Sequence, residues 1–433
     1  MNRMNDQPHC NGTESIRDTA RLWGAAFLAG VLGASAMFIF HAMIGASEWL
    51  LSGHPGGLVH EALILPAWAR LLVPVAGGVL AGLVLQAGGS WIGGRPHIDY
   101  IDAAREGKIA LNDRSNAVRM LSSLFSIGSG ASIGREGPMV QLSAWFASWL
   151  ARIVPVPEAQ RNAVLVSGIA SGIAAAYHAP IAGIVFVLEL ALGYFSRNTI
   201  APLLISAVTA STLIFWMVEP TPLYIMPAVP KTPVTPQSLL IALCVGAAAG
   251  LLGLILLRLI EWARLGFGHI QPLWARLGLG GLVVGALSIG VPEVWGNGYT
   301  AVSNVLDGGL DWRWVAIVLA AKFVATVAST SSGAIGGIFT PTLFVGATSG
   351  YLFGSALEFV TPGNSPVVMA IIGMAAVLSA VTHAPLMAIV MVLEMTNQFQ
   401  LALPVMLACG ISYAVSTQFG VKPLYGNPIE HHA

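Results

Sequence analysis

The run Gly128-Ser-Gly-Ala-Ser-Ile-Gly-Arg-Glu-Gly-Pro-Met-Val-Gln141 sets Arg135 and Glu136 side by side in a glycine-rich stretch of a very apolar chain. An ionised side chain in hydrocarbon costs roughly 2.5–3.5 kcal/mol on insertion scales, so it is seldom there without a use. The glycines break helix and let backbone approach something small. At membrane depth, irregular backbone is tolerated only where protein buries it or where it lines a water-filled cavity. An Arg-Glu pair at a broken membrane helix therefore points to an ion pathway.

Composition supports a membrane chain. Hydrophobic residues make up 55% of the 433 and charged residues 9%, against about 25% charged in soluble domains. The formal net charge is zero, which gives no footprint for nucleic acid or for a basic surface-bound protein. Cys10, Cys244 and Cys409 lie far apart, without metal or CxxC spacing. No cofactor and no metal are expected. The first twenty residues are polar and lack the apolar core of a cleavable signal, so the first helix is expected to act as the signal.

A span needs about 20 apolar residues. Clear candidates are 22–46, 71–92, 200–218, 239–260, 277–290, 314–327 and 401–415. Four further stretches are interrupted. The stretch 120–153 contains Gly-Arg-Glu-Gly-Pro, and 323–356 contains Ser331-Ser-Gly-Ala-Ile-Gly-Gly-Ile-Phe-Thr-Pro341. Stretches 163–192 and 367–396 contain His178-Ala179-Pro180 and His383-Ala384-Pro385. Between 219 and 237, six prolines at 220, 222, 227, 230, 233 and 236 exclude helix and mark an aqueous connection. The expected organisation is a cytoplasmic tail at 1–21, membrane repeats at 22–218 and 238–417, the connection at 219–237, and a C-terminal segment at 418–433.

The two sides of that connection repeat each other. His178, Ala179, Pro180 and Glu189 recur 205 positions on as His383, Ala384, Pro385 and Glu394. The Gly128–Gln141 run resembles 332–344. Interrupted apolar segments at matching places in two halves are the best sequence pointer to a midplane binding site in a transporter. The repeat does not show whether the halves are parallel or inverted. Arg3, Arg17 and Arg21 favour a cytoplasmic N-terminus.

A half-helix N-terminus offers free N–H groups and about half a positive charge, and so attracts an anion. Both glycine-rich breaks lead into such ends. Pro138 and Pro341 sit just inside the following helices, where proline is tolerated, and Ile338 and Phe339 offer amides amid apolar side chains. A cation site would want carboxylates or carbonyls, and the breaks hold only one carboxylate. Glu136 competes with an anion for such a site. It reads as a gate, blocking when ionised and yielding when protonated, in preference to a helix-capping partner of Arg135. Glu189 and Glu394 read as structural charges that pair or cap near a membrane surface. His178 and His383 read as helix-start residues rather than proton relays. Lys322 is expected to snorkel or pair, and Tyr425, on composition alone, reads as an interface residue.

At these residues the chain resembles the CLC family of chloride channels and chloride/proton antiporters, nearest its bacterial ClcB-like branch. The resemblance runs over nearly all of 22–426. It rests on Gly134-Arg-Glu-Gly-Pro138, Gly336-Gly-Ile-Phe-Thr-Pro341, His178-Ala-Pro-Ile-Ala-Gly-Ile and Pro423-Leu-Tyr425. It implies an all-α polytopic membrane protein of two inverted-topology repeats with many broken or re-entrant helices. It also implies a homodimer with one anion path per subunit in the bacterial inner (cytoplasmic) membrane. Glu136 becomes the external gating glutamate. The central anion contacts become the Tyr425 hydroxyl and the Ile338 and Phe339 amides, supported by Arg135, Gly134, Gly137, Pro138, Gly336 and Gly337. The cytoplasmic CBS domains of some relatives are not expected, since the sequence stops at Ala433.

Two departures stand out. The family's first signature places a serine hydroxyl on the central anion, but Ile92-Gly-Gly-Arg-Pro96 puts Gly93 there. The inner proton-transfer glutamate of typical antiporters aligns with Leu190, which carries no proton. Tyr425 argues for chloride over fluoride, and Gly93 lacks the proline that accompanies nitrate preference. The expected function is chloride/proton exchange. Leu190 leaves an uncoupled anion channel as the alternative, and a membrane-embedded enzyme built on Glu136 is the remote one. The expected partners are chloride and other small monovalent anions, protons, the lipid bilayer and a second copy of the chain, with no nucleic acid.

Overall fold

The computed structural model describes residues 12–53, 57–93, 97–195, 197–218, 221–225, 235–360, 363 and 365–425. Its helices are α1 (Gly12–Ser52), α2 (Leu58–Ile64), α3 (Ala67–Ile92), α4 (Tyr100–Glu106), α5 (Asp113–Gly128), α6 (Glu136–Ile153), α7 (Glu158–Tyr177), α8 (Pro180–Phe186), α9 (Arg197–Met217), α10 (Pro236–Gly268), α11 (Leu273–Ser288), α12 (Tyr299–Asp307), α13 (Trp312–Ser332), α14 (Phe339–Val360), α15 (Pro366–Thr382), α16 (Pro385–Thr396) and α17 (Ala402–Gln418). Among the described residues, seven helical stretches are long and apolar enough to cross a membrane, and four more apolar stretches are shorter.

The four expected breaks fall where glycine and proline placed them. Residues 129–135 separate α5 from α6, and 333–338 separate α13 from α14. His178-Ala179 and His383-Ala384 interrupt the other two stretches. Some expectations need correction. Span 277–290 lies mostly in α11, a 16-residue helix, whereas 323–356 supplies two helices that are each long enough to cross. Helix α1 begins at Gly12, inside the expected tail. His178 and His383 do not start helices. Each closes the preceding one at φ 53° and 55°, the left-handed conformation that ends a helix. The following Ala-Pro starts the next helix, with proline at its first position. The described part of the connection, 221–225, is packed rather than free in water. Tyr224 is fully buried, its amide donates to the Met395 carbonyl at 2.9 Å, and its ring stacks on Tyr299.

The hydrogen bonds relate one pair of equivalent helices, α8 and α16, reciprocally. Glu189, just beyond α8, accepts from the Leu386 and Met387 amides at the start of α16, at 3.2 and 2.7 Å. Glu394, near the end of α16, accepts from the Ile181 and Ala182 amides at the start of α8, at 3.0 and 2.7 Å. Proline occupies the first position of each helix, so these are the first two N–H groups without an intrahelical partner. Equivalent helices thus lie antiparallel, each capped by the other's glutamate, as inverted repeats require. Small residues bring the remaining helices close, as in other membrane bundles. A Cβ on Gly346 of α14 would run into the Gly373 carbonyl of α15.

Candidate functional site

The two glycine-rich breaks meet at the centre of the bundle. Gly134 and Gly337, at matching places in the repeat, exchange both backbone hydrogen bonds at 2.7 Å. This crossing brings together the start of α6 at Glu136 and the start of α14 at Phe339. It leaves no room for side chains on its glycines. A Cβ on Gly137 would lie 2.9 Å from the Gly337 Cα, and one on Gly134 would collide with Glu136 Oε2. Arg135 is the N-cap residue of α6 but makes no side-chain cap. Pro138 and Pro341 lie in the first turns, as expected.

Glu136 is buried, 7% exposed. Its Oε1 accepts from Asn297 Nδ2 at 2.6 Å. No donor among the described residues reaches Oε2. A buried carboxylate oxygen without a donor is costly to keep. Two cavities are lined by the neighbours of this group in the chain. The larger, about 560 Å³, is lined by Gly137, Pro138, Gly336, Gly337, Ile338 and Tyr425, with Arg119, Arg264 and Arg276 on its walls. The smaller, about 180 Å³, is lined by Arg135, Asn297, Tyr299 and Glu48. The chain passes from one cavity to the other within three residues. Glu136 lies in the chain between a residue lining one cavity and a residue lining the other, and itself lines neither.

Three of the residues expected around the anion, Ile338, Phe339 and Tyr425, lie together. Phe339 packs on Tyr425, ring centroids 5.1 Å apart, and is flanked by Phe186 at 5.8 Å and Tyr177 at 6.3 Å. The Tyr425 hydroxyl faces the Ile338 backbone. The segment carrying it is tied down by Leu424 N donating to Val381 O at 3.1 Å. Gly93 stands apart from this group. It is exposed at the end of α3, has left-handed φ 70°, and lines neither cavity. The rest of its motif, 94–96, lies outside the described residues. Leu190 is buried in a short π-helical turn, Val187–Leu192, that continues α8. Its carbonyl accepts from Arg105 Nη2 at 2.9 Å, and that guanidinium also lies 3.6 Å from Asp102. The position where an antiporter's proton-carrying glutamate is expected thus holds a buried leucine, its backbone carbonyl bonded to Arg105.

Two residues of the site escaped sequence reasoning. Asn297 lies between Gly296 and Gly298, which adopt φ 68° and 93°. That Gly-Asn-Gly turn ahead of α12 was the available signal. Lys322, expected to snorkel or pair, is 0% exposed. Its ammonium donates instead to the carbonyls of Val294, Trp295 and Gly296 at 3.0, 3.3 and 2.6 Å. These carbonyls belong to the turn that presents Asn297.

Comparison with known proteins follows the same outline. A family model described as voltage gated chloride channel matches residues 77–417. A ClcB-like protein of Ralstonia nicotianae is 46% identical over 411 residues, covering 93% of this chain and 95% of that protein. The voltage-gated ClC-type chloride channel ClcB of Escherichia coli is 36% identical over 417 residues, covering 94% and 98%. In fold, the chain superposes on a slow cyanobacterial Cl⁻/H⁺ antiporter with TM-score 0.79 at 23% identity, covering 94% of this chain and 96% of that one. A CLC-type fluoride/proton antiporter gives TM-score 0.75 at 23% identity, covering 97% and 100%.

Proposed function

Because this chain belongs to the voltage gated chloride channel family, we propose that it moves chloride across the bacterial inner membrane in exchange for protons, with Glu136 as the gate. One observation carries the reading: Glu136 lies in the chain between residues that line two cavities, at the crossing of two helix N-termini. An anion fits there for a physical reason. Helix N-termini supply N–H donors and partial positive charge without a fixed counter-ion, so they hold an anion and also release it. The Ile338 and Phe339 amides and the Tyr425 hydroxyl supply donors on the larger cavity's side. Gly93, which lines neither cavity, contributes no group to this shell, so water or other backbone completes it. Gly134, Gly137, Gly336 and Gly337 let the two ends approach, and Arg135 draws anions into the smaller cavity.

Ionised, Glu136 takes the anion's place and closes the path. On gaining a proton it loses the charge that competes with the anion, swings aside, and admits chloride. A proton thus enters from one side as chloride leaves toward it. The sides follow from α1. Its 41 residues rise about 60 Å at 1.5 Å each, and Glu48, near its C-terminal end, lines the smaller cavity. With the N-terminus in the cytoplasm, the smaller cavity faces outward and the Tyr425 cavity inward. Chloride flux rises as pH falls, because acid favours the open form. Glu136→Gln cannot ionise, so its flux is high and flat with pH in proteoliposomes. Wild-type pH dependence in that variant overturns the gate.

Leu190 favours a second reading, an uncoupled anion channel. Its side chain carries no proton, and its carbonyl is held by Arg105, so no carboxylate at this position relays a proton from Glu136. Exchange then requires transient water to bypass this point.

A further inference from the structure

We propose that Asn297 is the latch that holds the Glu136 carboxylate closed, and that buried Lys322 is the anchor that sets the latch. The inference rests on the reading of Glu136 as gate and adds two positioning residues to it. The orientation of the Asn297 amide follows from its partners. Its Oδ1 accepts from the Tyr299 amide at 3.1 Å, which turns the NH₂ end toward Glu136 Oε1 at 2.6 Å. A neutral amide donor bonds a carboxylate more strongly than a carboxylic acid, so the latch grips the ionised gate and slackens on the protonated one.

The turn bearing Asn297 is fixed from two sides. Lys322, from α13 in the second half, binds three successive carbonyls, those of Val294, Trp295 and Gly296. From the first half, the Gly130 carbonyl accepts from the Gly296 amide at 3.3 Å. Gly130 also lies so close under the buried Trp295 ring that a Cβ there would collide with it. An ionisable side chain at membrane depth is retained for a purpose, and here all three of its donors go to one turn. The charged or titratable groups facing Glu136 are Arg135 beside it, Tyr177, Tyr224 and Tyr425 around it, Glu48 across the smaller cavity, and Lys322 behind the turn. Asn297→Ala leaves all of them in place, so any change it makes belongs to the amide.

The test is chloride efflux from proteoliposomes across a range of pH, using the full chain. Asn297→Ala is expected to raise flux at neutral pH about tenfold and to move the half-maximal pH upward by about one unit, the effect of one hydrogen bond to a charged group. In a Glu136→Gln background the same substitution changes nothing. Lys322→Met shifts the profile in the same direction, and Lys322→Arg, which keeps donors, restores it. An unmoved profile for Asn297→Ala, beside a flat one for Glu136→Gln, overturns the latch and leaves the gate standing. A profile that Glu136→Gln fails to flatten removes the gate itself. A folded, unshifted Lys322→Met overturns the anchor. If that variant elutes as aggregate on size exclusion, Asn297→Ala alone decides the latch.

Discussion

At the scale of single residues, the site depends on what is missing as much as on what is present. Gly134 and Gly137 lack the side chains that would fill the crossing, and Gly93 lacks the hydroxyl that the family's first signature supplies. The proposed inner donors therefore narrow to one hydroxyl, that of Tyr425, beside the Ile338 and Phe339 amides. Tyr425→Ala is expected to weaken chloride binding about tenfold, since a hydrogen bond to a charged group is worth about 1.5 kcal/mol. Isothermal titration with chloride measures it, and unchanged affinity returns Tyr425 to a packing role. Glu136 was legible in the sequence because a charge among glycines in an apolar run has few idle explanations. Asn297 and Lys322 were not legible in the same way. Asn297 lies 161 positions from the carboxylate it holds, and only folding brings them together. A lone intramembrane lysine announces that it has partners but does not say that they are backbone carbonyls.

At the scale of elements, glycine and proline wrote the breaks into the sequence, so all four appeared where expected. The His-Ala-Pro motifs were read one element too late, because histidine in the left-handed conformation ends a helix there instead of starting one. The π-helical turn around Leu190 left no compositional trace. The glutamates that recur in the repeat prove structural, as expected, and their arrangement gives a test of the inverted symmetry. Glu189→Ala and Glu394→Ala each strip two amides at a helix start of their acceptor. Each is expected to cost about 1–3 kcal/mol of stability and, by symmetry, a similar amount. Neither should alter the pH profile of chloride flux. Unfolding in mixed detergent compares them. A large effect from one and none from the other contradicts reciprocal capping.

At the scale of the whole molecule, two inverted halves bring a pair of helix N-termini together at one crossing, and the residues on either side of Glu136 line two separate cavities. That geometry supports anion passage whether or not protons are coupled to it. Coupling depends on how a proton leaves Glu136, and the position expected to carry a glutamate is Leu190, whose backbone carbonyl is held by Arg105. Inverted halves were implied by the family resemblance and not by the repeat, because a repeated motif carries no direction. Coupling was equally hidden, because water is absent from a sequence. The most direct measurement records chloride and proton movement together, in proteoliposomes with a chloride gradient, no imposed pH gradient, and voltage clamped by potassium and valinomycin. The exchange account predicts that chloride drives protons uphill against the clamp, and that Leu190→Glu does not reduce this. Chloride flowing freely with no proton movement contradicts exchange and leaves a channel.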